Sequence, residues 1–224
     1  MLRSPTAKLL ALASSILFSA AANGTVVYTQ SYDGSGPVLA SQNDTSGGLG
    51  SFATAYDNFI LGSSSNLTQV SFTGGYWNYF NQPIPGTITS FVLQIYGDNA
   101  GQPGSSLYTT TVGGSGGESC NAFAICTYSF AIAFMAAAST EYWMSIVPNL
   151  GFPPQWGWAS GTGGDGASYQ RFWTRRSAVD SDRAFSLDAA PPAVPEPATW
   201  ATILTGFFIV GASLRRQRAL FLLA

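Results

Sequence analysis

Short stretches in which apolar and polar side chains alternate follow one another along most of the chain. The most regular stretch covers residues 128–134, where Tyr128, Phe130, Ile132 and Phe134 are separated by small residues. Alternation with a period of two is typical of half-buried antiparallel strands. Similar patterns predict further short strands at residues 25–30, 53–61, 67–76, 88–96, 107–112, 142–147, 156–159, 169–173 and 184–187.

Stretches rich in glycine, serine and asparagine separate these strands. Residues 33–50 are expected to form a loop and residues 97–104 a tight turn, because Gly, Asn and Asp tolerate turn geometry. Between residues 23 and 189, no stretch of the sequence carries apolar side chains at the 3.6-residue period of a helix. We therefore expect residues 23–188 to form an all-β ectodomain, an antiparallel β-sandwich of the jelly-roll type.

Residues 1–22 have the pattern of a secretory signal peptide. Arg3 and Lys8 supply the positive charge, residues 9–18 form an apolar core, and Ala22 closes a small-residue cleavage site. An apolar core of about ten residues is too short to span a bilayer, which disfavours a membrane anchor here. We expect export through the Sec pathway and cleavage after Ala22.

An apolar segment near the C-terminus is predicted to be a single transmembrane helix over residues 198–214. Its 17 residues would extend about 25 Å as a helix, which suffices for a thin bilayer. Arg215, Arg216 and Arg218 follow, so residues 215–224 are expected to form a basic cytoplasmic tail that holds the topology. A buried core helix would not explain these arginines.

A Pro-rich linker, residues 189–197, precedes this segment and ends in Val194, Pro195, Glu196 and Pro197. Each proline ring fixes its own φ and extends the residue before it, so the Glu196 carboxylate is presented on a stiff peptide. A plain membrane anchor would not require this Pro-Glu-Pro sequence. The order of linker, apolar helix and arginines resembles the PEP-CTERM sorting signal of exported bacterial proteins.

The resemblance implies that an exosortase, a membrane transpeptidase, recognises the tail of a membrane-anchored precursor. The protein would then reach the cell surface or the extracellular matrix of a Gram-negative-type bacterium. Parts of the ectodomain also look like those that precede such tags, namely residues 56–61, 70–76, 95–104, 141–146 and 182–187. This second resemblance implies a shared sandwich and transfers no biochemical activity.

Composition narrows the classes of function. Charged residues make up only 9% of the chain, against roughly 25% in an average soluble protein. Residues 23–197 contain four arginines and eleven acidic residues, which gives a net charge of −7. Nucleic-acid binding needs a basic surface, so nucleic acid is not expected as a partner.

The absence of histidine from the sequence argues against most enzyme classes. Serine and cysteine triads and histidine-based metal centres all need an imidazole. Glycoside hydrolysis needs only two carboxylates, and Glu118 and Glu141 are the two glutamates of the ectodomain. Nothing in their spacing brings them together, so a hydrolase is the less favoured alternative and we expect no enzyme.

Cys120 and Cys126 are the two cysteines of the chain. In the oxidising compartment implied by export we expect them to form a disulfide. A metal centre needs more ligands than two thiols, and no imidazole is present to activate a nucleophilic cysteine. A structural disulfide is therefore favoured over chemistry.

Calcium is the one cofactor for which the sequence offers ligands. Asp98 and Asp182 provide hard oxygen ligands in a turn and at a strand end. The sequence has no EF-hand spacing, and aspartates in turns often bond their own backbone instead. The favoured interpretation is that no cofactor is bound, with structural calcium as the alternative.

Aromatic side chains near polar turns supply the other candidate site. Trp77, Tyr79, Trp156 and Trp158 are candidates for an exposed platform on which a sugar ring could stack. The competing interpretation is core packing, since most aromatic side chains must be buried. The sequence thus predicts an exported, non-enzymatic surface protein, with a carbohydrate-binding module that acts on extracellular polysaccharide as the alternative.

Overall fold

The computed structural model describes residues 24–77, 87–114, 118–191, 202–208 and 210–211. These residues form a mostly β structure with two sheets, which confirms the all-β class. The strands are β1 (Thr25–Tyr32), β2 (Val38–Ala40), β3 (Gln42–Asp44), β4 (Gly50–Ile60), β5 (Ser65–Trp77), β6 (Ser90–Asp98), β7 (Pro103–Val112), β8 (Ser119–Cys120), β9 (Ile125–Ala136), β10 (Glu141–Leu150), β11 (Gln155–Thr162), β12 (Ser168–Phe172), β13 (Arg175–Val179), β14 (Asp182–Arg183) and β15 (Phe185–Ala189).

The first sheet has eight strands in the order β14-β11-β1-β15-β5-β9-β8, with β2 paired to β11. Strands β15 and β11 both lie between β1 and β5, one beyond the other along the strand direction. β15 pairs with the first part of β1 up to Gln30, and β11 pairs with Ser31 and Tyr32 beyond it. The two strands meet at Ala184, whose N–H donates to the carbonyl of Ala159 at 2.9 Å.

The second sheet has seven strands in the order β13-β12-β4-β3-β10-β6-β7. β3 lies between β4 and β10 and runs parallel to β10. A hydrogen bond links the two end strands across the outer face. Arg176 of β13 donates to the carbonyl of Pro103 in β7 at 3.0 Å. The outer face of this sheet is therefore concave.

Apolar residues from the inner faces of both sheets form the core. Phe91, Leu93 and Ile95 of β6 are buried as the alternation predicted, and Val70 and Phe72 of β5 lie opposite them in the same cluster. Burial of each large side chain contributes about 2 kcal/mol. The same alternation directs the intervening residues of β6 outward onto the concave face.

Residues 33–50 are not simply a loop, which corrects the sequence prediction. They include β2 and β3, and β4 begins at Gly50. These segments are held by backbone pairing with β4, β10 and β11 and by hydrogen bonds of buried polar side chains, rather than by an apolar alternation. The Ser41 hydroxyl donates to the carbonyl of Ile146 at 2.5 Å, and the Gln42 amide donates to that of Leu150 at 3.0 Å. Periodicity alone could not reveal such strands.

The predicted end segments lie largely outside the described residues. The signal peptide, the sorting motif at 194–197 and the arginines at 215–218 all fall there, and so does Tyr79. Within the predicted transmembrane segment, residues 202–208 and 210–211 are helical. In the described part of the chain, no helix has the length and apolar character needed to cross a membrane. The transmembrane segment and the jelly-roll connectivity stay predictions.

Candidate functional site

Two of the three tryptophans proposed from the sequence as a sugar platform belong to the core. Trp156 and Trp158 are both 0% exposed. The indole N–H of Trp156 donates to the Tyr128 hydroxyl at 3.2 Å, and that of Trp158 donates to the carbonyl of Ala184 at 2.9 Å. A buried ring cannot stack on a sugar, so the platform prediction is wrong for these two residues. Trp77 is partly buried against Phe52 and Ala40.

Glu118, just before β8, and Glu141, at the start of β10, bind different partners. The carboxylate of Glu118 accepts hydrogen bonds from the hydroxyls of Tyr76 at 3.0 Å and Tyr128 at 2.9 Å. That of Glu141, at the start of β10, accepts one from the Asn58 amide at 2.8 Å. The structure does not assemble the two carboxylates into one cleft.

Cys120 and Cys126 form the predicted disulfide, across the antiparallel pair β8 and β9. Among the described residues, the side chains that could jointly hold a metal ion are these two cysteines and Glu118, whose ligand atoms lie within 4.8 Å of one another. Both sulfur atoms are used in the disulfide, so no thiolate is available to a metal. The bond joins the edge strand β8 to its neighbour β9 in the first sheet.

The aspartates proposed as calcium ligands fix turns. Asp98 accepts hydrogen bonds from the Trp143 indole at 2.9 Å and the N–H of Gly101 at 3.0 Å. The bond from Trp143 is the main cause that lowers the pKa of Asp98. Asp182 accepts hydrogen bonds from the backbone N–H groups of Gly164 and Gly166, at 2.9 and 2.7 Å. These hydrogen bonds explain why an aspartate stands at each of the two positions without invoking an ion. The calcium hypothesis stays a prediction.

A carboxylate that the sequence did not single out lies buried between the two sheets. Asp57 of β4 is 0% exposed. Its carboxylate accepts hydrogen bonds from the backbone N–H of Asn58, at 2.7 Å, and from that of Arg183 in the first sheet. With its amide assigned from the hydrogen-bond network, Gln30 also donates to Asp57, at 2.8 Å. Burial raises the pKa of Asp57 from 3.8 to about 8, against the lowering effect of the two backbone bonds.

A groove of about 400 Å³ crosses the concave outer face of the second sheet. We refer to it as the polar groove. Its floor comes from the outward-facing residues of β4, β6 and β10, which alternate with the core residues of those strands. The lining residues are Asn43, Ser51, Thr54, Tyr56, Val92, Gln94, Tyr96, Val147, Asn149 and Arg171.

Side-chain hydrogen bonds hold the polar groups of the groove in place. The Tyr96 hydroxyl donates to the Gln94 amide oxygen at 2.8 Å, and the Gln94 amide nitrogen donates to Thr109 at 3.1 Å. The Asn43 amide donates to Asn149 at 2.7 Å. Groups that are already ordered lose less entropy when they bind a ligand. The groove is therefore preorganised for polar recognition.

Two guanidinium groups lie at the polar groove, Arg171 in its lining and Arg176 against the lining residue Tyr56. Arg171 of β12 donates to Thr54 at 2.8 Å, to Ser51 at 3.2 Å and to the carbonyl of Trp173 at 3.2 Å. Arg176 of β13 lies 5.5 Å from the centre of the Tyr56 ring. Burial raises the pKa of Tyr96, and the charges of Arg171 and Arg176 act in the opposite direction. The positive charges of both arginines therefore lie on the same face of the sheet.

The chemistry of the polar groove is that of binding. Amide, hydroxyl and guanidinium groups can bond a polyhydroxylated ligand. Sequence reasoning missed the groove because its residues come from five strands that only the fold brings together. The available signal was the grouping of Arg171, Arg175 and Arg176 in a chain with so few cations. No protein-family model matches the chain, and no curated protein matches it either.

Proposed function

We propose that this chain is a non-enzymatic exported protein that is sorted to the cell surface or extracellular matrix through its C-terminal tail. The observation that carries the proposal is the succession of Pro195, Glu196 and Pro197, an apolar segment and three arginines. The disulfide between Cys120 and Cys126 supports export, because such bonds persist in oxidising compartments. The partner is an exosortase-type membrane transpeptidase.

Each part of the tail has a physical role in this proposal. The proline rings present the Glu196 carboxylate on a stiff, extended peptide that an enzyme can bind. The apolar segment, residues 198–214, holds the precursor in the membrane. The arginines stay on the cytoplasmic side and resist transfer across the bilayer. The β-sandwich ahead of the linker is delivered to the exterior.

Replacing Glu196 by alanine in the producing bacterium is expected to prevent removal of the tail, because the substrate then lacks the carboxylate that the enzyme recognises. The intact mass of the purified protein measures this. Wild-type protein and a control Pro192→Ala variant, changed in the same linker outside the motif, are expected to lose the tail. Equal processing of the Glu196→Ala protein would contradict the proposal.

Carbohydrate binding is the second candidate function, and the polar groove favours it. Its preorganised amides and hydroxyls suit the hydroxyl groups of a sugar. A volume of about 400 Å³ lies within the usual range of small-molecule sites. Calorimetric titration of the full-length protein with neutral and acidic oligosaccharides tests this function. Heat of binding with at least one of them is expected, and none with any of them would contradict it.

A further inference from the structure

We infer that the ligand of the polar groove is an acidic saccharide, whose sugar carboxylate binds Arg171. The inference rests on the carbohydrate-binding function proposed above and specifies its substrate class. Amide and hydroxyl groups of the groove, among them those of Gln94 and Asn149, bind the sugar hydroxyls. The glycan occupies the concave face between β12 and β6.

The distribution of charge supports an anionic ligand. Residues 23–197 contain eleven acidic side chains and only four arginines. One of these, Arg183, is buried at 2% exposure. The other three lie on β12 and β13, and the residues that line the polar groove include no Asp or Glu. The groove is thus a local positive region on a protein of negative net charge, and such a region attracts anions.

The register of β12 and β13 gives a second, independent argument. Arg171 and Arg176 are direct partners across this antiparallel pair, so their side chains leave the same face. Like charges directly opposite each other destabilise a sheet. A carboxylate bound between or beside the two guanidinium groups would relieve this repulsion.

The geometry of Arg171 is suited to a carboxylate. Its three hydrogen bonds, to Thr54, Ser51 and Trp173, fix the plane of the guanidinium group. A guanidinium has five N–H donors. The three bonds use both donors of Nη2 and one of Nη1, so the Nε donor and one Nη1 donor remain for a ligand, on different edges of the group. Each remaining donor can make a single charge-assisted hydrogen bond to a carboxylate oxygen, which is stronger than a bond to a neutral hydroxyl. A uronate is therefore preferred to the corresponding neutral hexose.

Matched pairs of oligosaccharides test this inference on the full-length protein. Oligomers of galacturonate, glucuronate and mannuronate are titrated beside equally long oligomers of galactose, glucose and mannose, which lack the carboxylate. We expect at least one uronate to bind about tenfold or more tightly than its neutral partner, as a charge-assisted bond provides. This comparison needs no variant and so does not depend on the folding of one.

Two charge-removing variants then locate the effect. Arg171→Gln is expected to lose the preference for the uronate, so that the ratio of the uronate affinity to the neutral-sugar affinity falls to about one. Arg175→Gln is the control, because it removes the same charge next to Arg176. Successive strand residues point in opposite directions, so the Arg175 side chain lies on the opposite face of β13. This variant is expected to bind as the wild-type protein does.

Each outcome decides a different claim. Equal affinity for uronates and neutral sugars would overturn the acidic inference and leave carbohydrate binding in place. An equal loss in Arg171→Gln and Arg175→Gln would also overturn it, because the effect would then come from net charge. No binding of any of the six oligomers would overturn both the inference and the carbohydrate-binding function.

Discussion

Replacing Trp156 by alanine is expected to lower the free energy of unfolding by about 4 kcal/mol. The ring is 0% exposed and packs edge-on against Phe72 and Phe91, with centroid separations of 6.3 and 5.7 Å. It also fills the space beside Gly74, where an added Cβ would lie 2.0 Å from the indole. Truncation leaves a cavity and leaves the Tyr128 hydroxyl without its indole donor. Chemical denaturation measures the loss.

The matched control is Trp173→Ala, which removes the same ring from an exposed position. Trp173 is 50% exposed at the end of the β12–β13 hairpin, so a loss of about 1 kcal/mol or less is expected. Equal losses for the two variants would contradict the placement of Trp156 in the core. A Trp156→Ala protein of unchanged stability that fails only to bind sugar would restore the platform hypothesis.

The folded protein is expected to lose stability as the pH rises from about 4 to about 8. The pKa of Asp57 is raised by burial from 3.8 to about 8, so the folded state keeps a proton that the unfolded chain has released. For a raised pKa, the stabilisation is complete below the unfolded value and disappears as the pH passes the folded value. One such group gives a slope of at most about 1.4 kcal/mol per pH unit.

Denaturation of the wild-type and Asp57→Asn proteins at several pH values measures this slope. The neutral amide cannot ionise, so the variant is expected to show a flatter profile between pH 4 and 8. Asp180→Asn makes the same charge change at an exposed turn and is expected to keep the wild-type slope. A wild-type stability that increases across this range would show that Asp57 is ionised in the folded protein.

The fold was largely predictable where side chains alternate. Phe91, Leu93 and Ile95 revealed β6, and the alternation over residues 128–134 revealed β9. Strands β2, β3 and β13 were not predicted, because their place depends on pairing with distant segments rather than on their own pattern. β13, for example, carries Arg175 and Arg176 and is exposed along most of its length.

The candidate site was less predictable, for a related reason. Alternation shows that two sets of residues point in opposite directions, but it does not tell which set faces the second sheet. Trp156 and Trp158 stand beside polar turns in sequence, yet seven of the eight residues of β11 are buried. The groove depends on a sheet curvature that brings Arg176 to Pro103, 73 residues apart in the chain. Only the assembled sheet reveals it.

The location of a bound oligosaccharide tests the proposed role of the polar groove most directly. In a nuclear magnetic resonance titration with the uronate oligomer that binds, the side-chain amide signals of Asn43, Gln94 and Asn149 are expected to shift. The indole signal of Trp77, outside the groove lining, serves as the control. Shifts confined to the groove are the predicted result. Shifts at Trp77 with unchanged groove amides would contradict the account.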